Sequence, residues 1–571
     1  MDYLELGWGF LNSRQLVWIA AQLHLNFAAF VLAVPLFALV IEFIGWRSRD
    51  PQASNAYDRL AHELTRLLPV AYGFTAIMGA LMAFSLFTLF PKVMNYLSGI
   101  FAPSMLVYSL LFIAESISLY LYYYLWDRLQ GKRKWVHMLL GLSLNLFGTA
   151  VMFIANAWAS FMMSPAGVTE GGELVNRWQA INNRTWWALN IHRLVANITF
   201  GALLCGAYAA YRFLTSRDER ERAYYDWMGY TGNFIALFTM LFLPFLGYWL
   251  GFEIYRHNPQ MGITLMGGFL SWLFVLQAMV IATLFIGTAY YQWMGLARVP
   301  GAETYRRIVP LFLVVLIAAF AVWATPRTMV FGPADPPRHT FSVVFGLMAP
   351  KMAAVTSVIL LLYTSWLFYR RAGKVLVGGG RFLGNLVWAI LGVAAVVIIG
   401  LSVHGFFAPT AVRIRESVWQ ILILAGVLGV TFVLDTLALR GAHTVGRIEW
   451  GRVPARSQYV LIALAFIIVW LMGVMGYARS AVRTNWHIDG ILQDTSPWVW
   501  LPGLGGVANT VTIVTLIFFA LLAVSFAISV FSAREGEEVP NLRPTPAPAP
   551  AEPRPAEGRA TLAPQPGGGN G

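Results

Sequence analysis

One cysteine, Cys205, is all that 571 residues contain. A lone thiol excludes a disulfide framework and a Cys-x-x-Cys-His site for covalent haem attachment. Charge is scarce too, at 12% of residues, about half the share of a soluble domain. There is no Walker A loop, no strand-framed glycine-rich fingerprint and no metal cluster with ligand spacing, so nothing points to nucleotide or multi-ligand metal chemistry. No internal repeat is evident. The N-terminus lacks a basic n-region and a small-residue cleavage site, so no removable signal peptide is expected.

What the chain has instead is apolar length. It is 58% hydrophobic with a mean hydropathy of +0.62, the composition of an all-α, polytopic transmembrane helix bundle. Runs near the ~20 residues needed to cross a bilayer recur over 15–46, 67–90, 102–126, 135–161, 187–212, 228–250, 264–293, 308–324, 341–369, 382–404, 417–439, 458–478 and 508–532. That is 13 spans. The 22 Trp, 23 Tyr and 39 Phe suit aromatic belts and pockets for a flat apolar group. The net charge of +13 reads as positive loops facing a lipid bilayer, not as a nucleic-acid surface. Basic residues follow the first, third, fifth, seventh, ninth and eleventh spans, for example Arg47 and Arg49, Lys132 to Lys134, and Arg370 with Arg371. They all fall on one side, which predicts an N-terminus outside and a C-terminus in the cytoplasm. Residues 536–571 are rich in Pro, Ala and Gly and are expected to be a disordered tail.

Polar groups inside spans are costly and therefore informative. They are His24, Glu42, Glu115, His192, Gln277, Lys351, His404 and Asp435. Near the outer end of the fifth span, His192 is a natural axial ligand for haem. Met279 falls in the outer half of the seventh span, at a matching depth, and would supply a thioether opposite the imidazole. A methionine in a membrane helix is more often packing, so spacing alone carries that pair weakly. His24 lies two to three turns into the first span. Glu115 is mid-span, where a carboxyl serves as a proton relay or bonds a neighbouring helix. Lys351 and Asp435 could pair with each other, and the remaining histidines read as loop or span-end residues.

Four stretches resemble subunit I of the cytochrome bd quinol oxidase family. They are Leu23-His24-Leu25; Phe101-Ala102-Pro103 with Phe112-Ile113-Ala114-Glu115-Ser116; Ile154-Ala155-Asn156-Ala157-Trp158 with Pro165; and Arg483-Thr484-Asn485-Trp486. The resemblance covers roughly 10–295 and 458–532. It implies a low-spin haem b held by His192 and Met279, and one or two further haems of b or d type with His24 as the high-spin ligand. It also implies a proton path through Glu115, a second bd-type membrane subunit, and residence in a bacterial or archaeal cytoplasmic membrane. Residues 1–295 then form the haem-binding bundle, 296–457 an inserted four-helix segment, and 458–535 the last two family-like spans.

The sequence departs from the family at several positions. Val107 and Ser480 stand where the family has glutamates, and Gln277 where it has an arginine. The long quinol-binding loop is reduced to about Gly251 to Met261, so a c-type cytochrome joins quinol as a candidate electron donor. Three readings follow: an oxidase core subunit, an electron-transfer cytochrome b without oxygen reduction, and a haem-free transporter. The transporter reading lacks broken-helix and repeat signals.

Overall fold

A computed structural model describes residues 2–5, 11–330, 338–339, 344–446, 448–498, 504–531, 540 and 542. The expected disordered tail lies outside the described residues, apart from those last two. The helices are α1 (Ser13–Arg47), α2 (Pro51–Arg66), α3 (Leu68–Leu89), α4 (Pro91–Tyr124), α5 (Lys134–Phe161), α6 (Arg177–Ile181), α7 (Trp186–Thr215), α8 (Glu219–Met240) and α9 (Leu243–His257). They continue as α10 (Pro259–Thr264), α11 (Ser271–Gly295), α12 (Glu303–Ala324), α13 (Met348–Arg371), α14 (Gly379–Phe407), α15 (Thr410–Leu439), α16 (Ala455–Ala481) and α17 (Leu504–Phe531). Among the described residues, 13 helical segments are long and apolar enough to cross a membrane, as the runs of the sequence predict. The described residues also hold three short antiparallel pairs: β1 (Thr328–Met329) with β2 (Arg338–His339), β3 (Lys374–Val375) with β4 (His443–Thr444), and β5 (Trp486–Ile488) with β6 (Leu492–Gln493).

Local chemistry sets the helix starts. Asn12 caps α1, accepting from the Gln15 amide at 2.8 Å while the Gln15 side chain accepts from the Asn12 amide at 3.1 Å. This reciprocal box satisfies two otherwise orphaned donors. Pro91 opens α4 at a position where its missing N–H costs nothing. α4 therefore starts eleven residues ahead of the expected span at 102, and Phe101-Ala102-Pro103 lies inside the helix rather than in a turn.

The outer faces are apolar: Phe84 is 71%, Leu146 60% and Val396 73% exposed, as suits contact with acyl chains. Polar groups turn inward and pair. The core joins α1 to α2, α3, α5, α7 and α17, and α7 to α8 and α16. α11 also packs on α8 and α16, so α7 and α11 take opposite corners of a four-helix group. The helices α12–α15 form a neighbouring group that meets α11 and α8, and Tyr248 of α9 bonds Ser417 of α15 at 2.7 Å.

Candidate functional site: two histidines at the α1–α7 core

The first turns of α7 are tied to α5. The Asn156 side-chain amide donates to the Asn190 side-chain oxygen at 2.7 Å, and Arg193 donates to the Asn156 side-chain oxygen. The Trp186 indole adds a bond to the Phe153 carbonyl at 2.9 Å. These contacts fix the rotation of α7 and with it the direction of His192. That residue is half-buried, and its ring makes no hydrogen bond. Gly247 of α9 faces it; a Cβ there would stand 3.9 Å from His192 Nε2. A half-buried imidazole with both nitrogens uncommitted and a glycine opposite is available to a ligand.

His24 is committed at one nitrogen only. Nδ1 lies 2.9 Å from the Thr75 carbonyl oxygen. A carbonyl accepts and never donates, so Nδ1 carries the proton and Nε2 keeps its lone pair. This is the arrangement that orients metal-bound histidines. The ring sits directly over Gly79, where an added Cβ would come within 2.9 Å. Arg193 is close enough to both His24 and His192 for its charge to act on each, which links the two rings into one region. Among the described residues no group of three His, Cys, Asp or Glu side chains could hold a bare metal ion. Haem iron asks for one or two protein ligands, and the two histidines fit that requirement.

Glu115 is 5% exposed and turns toward α5, where a Cβ on Gly148 would lie 2.6 Å from its Oε1. Val107, eight residues earlier on the same helix, is 47% exposed. Eight residues at 3.6 per turn rotate about 80°, which carries Val107 off the core face. Ser480 is half-buried and bonds back to the Gly476 carbonyl at 3.4 Å. Met279 is 59% exposed, while its neighbour Ala278 is 1% exposed and turned inward. His192 is half-buried and Met279 faces outward, so the structure does not place the two in one enclosed site.

The motif Arg483-Thr484-Asn485-Trp486 forms a tight turn beyond α16, with Thr484 at φ 52°. Arg483 donates to the His487 carbonyl, and Asp494 pairs with Arg14 at the start of α1. Burial, with Arg14 and Arg483 nearby, pushes the His487 imidazole down to about 3. The motif thus closes over the end of the helix that bears His24.

The partners of several buried groups were not legible. His137, which reads as a span-end residue, is fully buried and bonds Glu42 at 2.7 Å; Tyr122 donates to the same carboxylate at 2.9 Å. Glu63 accepts from Tyr208, Tyr225 and Tyr224 at 2.9, 3.0 and 3.2 Å. Asp226 pairs with Arg298, both fully buried. Asp435 takes Arg371 at 2.7 Å and Arg370 at 2.8 Å. Lys351 donates to the Trp323 carbonyl at 2.7 Å, so Lys351 and Asp435 each have other partners. Every one of these side-chain pairs joins distant parts of the chain, and no local pattern announces them.

The fold and site thus define a multi-pass helical membrane protein with two ligand-ready histidines in its core. Residues 12–269 match the family described as cytochrome bd terminal oxidase subunit I, and with the thirteen apolar helices this makes it a multi-pass protein of the cytoplasmic membrane. His24, Glu115 and His192 fall inside the matched region; Met279 and Ser480 fall outside it. A curated relative, the putative cytochrome bd menaquinol oxidase subunit I of Bacillus subtilis (strain 168), is 26% identical over 215 residues, 37% of this chain. The match spans 47% of that relative, about half its length. The solved structure of bd oxidase from Geobacillus thermodenitrificans aligns with 91% of this chain and 96% of its own, at 15% identity and a TM-score of 0.43.

Proposed function

We propose that this chain is the haem-bearing core subunit of a bd-type respiratory oxidase relative. The observation that carries the reading is the pair of histidines in the family-matched region. One has its tautomer fixed by a carbonyl, and the other has an unbonded ring facing a glycine. His192 would hold a low-spin haem b and His24 a high-spin haem of b or d type. Bound haem would supply one-electron carriage at the first and oxygen reduction at the second. The chain's own part is to hold each imidazole neutral and oriented, to keep water out, and to deliver protons by way of Glu115. Met279 on α11, the helix diagonal to α7, is proposed as the second ligand of the His192 haem; for this the thioether must turn in from its outward position. The N-terminus is taken to face outside, the four helices of 296–457 to be an insertion, and a second bd-type subunit to complete the assembly. Electrons would come from quinol or a c-type cytochrome.

A second reading, electron transfer without oxygen reduction, is favoured by the outward Val107 and the hydroxyl at Ser480. Carbon monoxide divides the two. In the oxidase it shifts the reduced spectrum, and His24→Ala removes that shift. A reduced spectrum indifferent to carbon monoxide in the wild type leaves only the second reading. Met279→Ala converts the low-spin band to a high-spin one if the thioether is a ligand; an unchanged band removes Met279 from the site.

A further inference from the structure

A fully buried carboxylate, imidazole and phenol meet at the end of α1 away from its Asn12 cap. Glu42 and His137 are both 0% exposed. His137 Nε2 lies 2.8 Å from the Tyr122 carbonyl oxygen. That oxygen only accepts, so Nε2 carries a proton. The contact between Nδ1 and Glu42 Oε1, at 2.7 Å, therefore holds one shared proton. It sits either on the carboxyl, giving a neutral pair, or on the imidazole, giving a charged one. Tyr122 donates to the other oxygen, Oε2, at 2.9 Å. A buried ion pair is a weak source of stability against an apolar filling of the same volume, so stability alone does not account for this choice of residues.

The cluster is continuous with Glu115. Glu115, Ser118 and Tyr122 stand at i, i+3 and i+7 on α4 and are all buried, so they form one buried polar stripe on the helix. The stripe rises about 10 Å from end to end, with Ser118 between Glu115 and Tyr122. On the facing helix α5, Gly141 and Gly148 repeat the same seven-residue spacing. A Cβ at Gly141 would lie 2.8 Å from the Tyr122 ring, and one at Gly148 2.6 Å from Glu115 Oε1. Glycine thus clears both ends of the stripe. One turn before His137, Lys134 pairs with the partly exposed Asp58. Trp126 packs edge-on against the imidazole at 4.7 Å.

We propose that Glu42, His137 and Tyr122 form a proton-loading unit that feeds Glu115 along α4. A proton enters at the Glu42–His137 pair from the Asp58–Lys134 side. Once protonated, Glu42 gives its proton to the Tyr122 oxygen after the phenol hydroxyl has turned away from Oε2, and Tyr122 gives up its own hydroxyl proton through water along the stripe to Glu115. One O–H bond breaks and one forms at the phenol, and Glu42 returns to the carboxylate. The assignment rests on the reading of Glu115 as a proton carrier. It does not require haem, and the test is chosen to keep the two apart.

The test is the exchange of the Glu115 carboxyl after transfer of the protein from H2O to D2O, followed by infrared spectroscopy and assigned with Glu115→Gln. Glu42→Gln is expected to slow that exchange about tenfold or more, since it keeps the shape but loses the titrating oxygen. Tyr122→Phe, which keeps the ring packing, serves if Glu42→Gln does not fold, and is expected to slow exchange likewise. Glu63→Gln, at the other tyrosine-bonded buried carboxylate, leaves it unchanged. Exchange at the wild-type rate in Glu42→Gln or Tyr122→Phe overturns the proposal. So does equal slowing by Glu63→Gln, which would mark a general effect of removing a buried carboxylate rather than a path through Glu42. A haem-free preparation would overturn the proposed function while leaving this measurement intact.

Discussion

His137 and His192 are both histidines of long apolar helices, one fully buried and one half-buried, and they are opposites. His137 has a partner at each ring nitrogen, one carboxylate and one carbonyl. His192 has none, and a glycine faces it. His24 lies between these extremes, with one nitrogen held and one open. Burial alone does not make an imidazole a ligand. What matters is whether the neighbouring side chains have already used its lone pair and its proton. By that measure His137 belongs to a proton network, and His24 and His192 are open to a metal.

The sharpest way to break the comparison is to remove each histidine in turn. His24→Ala is expected to abolish the carbon monoxide response while the low-spin band remains; a retained response would move the open site elsewhere. His137→Ala is expected to keep haem but lose about 3–5 kcal/mol of stability, because it strands a buried carboxylate. Thermal unfolding in detergent reads this, and loss of the low-spin band at an unchanged melting temperature would contradict it. Smaller effects come from the glycines. Gly79→Ala pushes a methyl to 2.9 Å from a ring that Thr75 holds in place, and should alter the carbon monoxide difference spectrum. Gly247→Ala brings only an ordinary 3.9 Å contact with His192, and should leave the low-spin band near wild type.

The smallest effect expected is that of His487. Burial lowers its imidazole from the ordinary 6.5 to about 3. Between those values the unfolded chain binds the proton and the folded one does not. Stability from this group is therefore full above about pH 6.5 and falls as the pH drops toward 3. His487→Gln should flatten that part of the stability profile; an unchanged slope would assign it to other groups.

Much of the architecture was legible because apolar run length is a local property. All thirteen spans appear in the sequence, and α1 with its Asn12 cap and α7 with its lone histidine need no distant information. Rotation about a helix axis is different. α11 is apolar on nearly every side, so no stripe tells which residue faces inward; packing on α8 and α16 turned Ala278 in and Met279 out. Glu42 and His137 were each visible but lie 95 residues apart, and only the folded bundle joins them. The same holds for Asp226 with Arg298, 72 residues apart, which meet in a fully buried pair.

The most direct measurement is the reduced-minus-oxidised spectrum of the purified protein beside that of His192→Ala. The account predicts a low-spin b-type band in the wild type and its absence in the variant at comparable yield. A colourless wild type, or a variant that keeps the band, would contradict it.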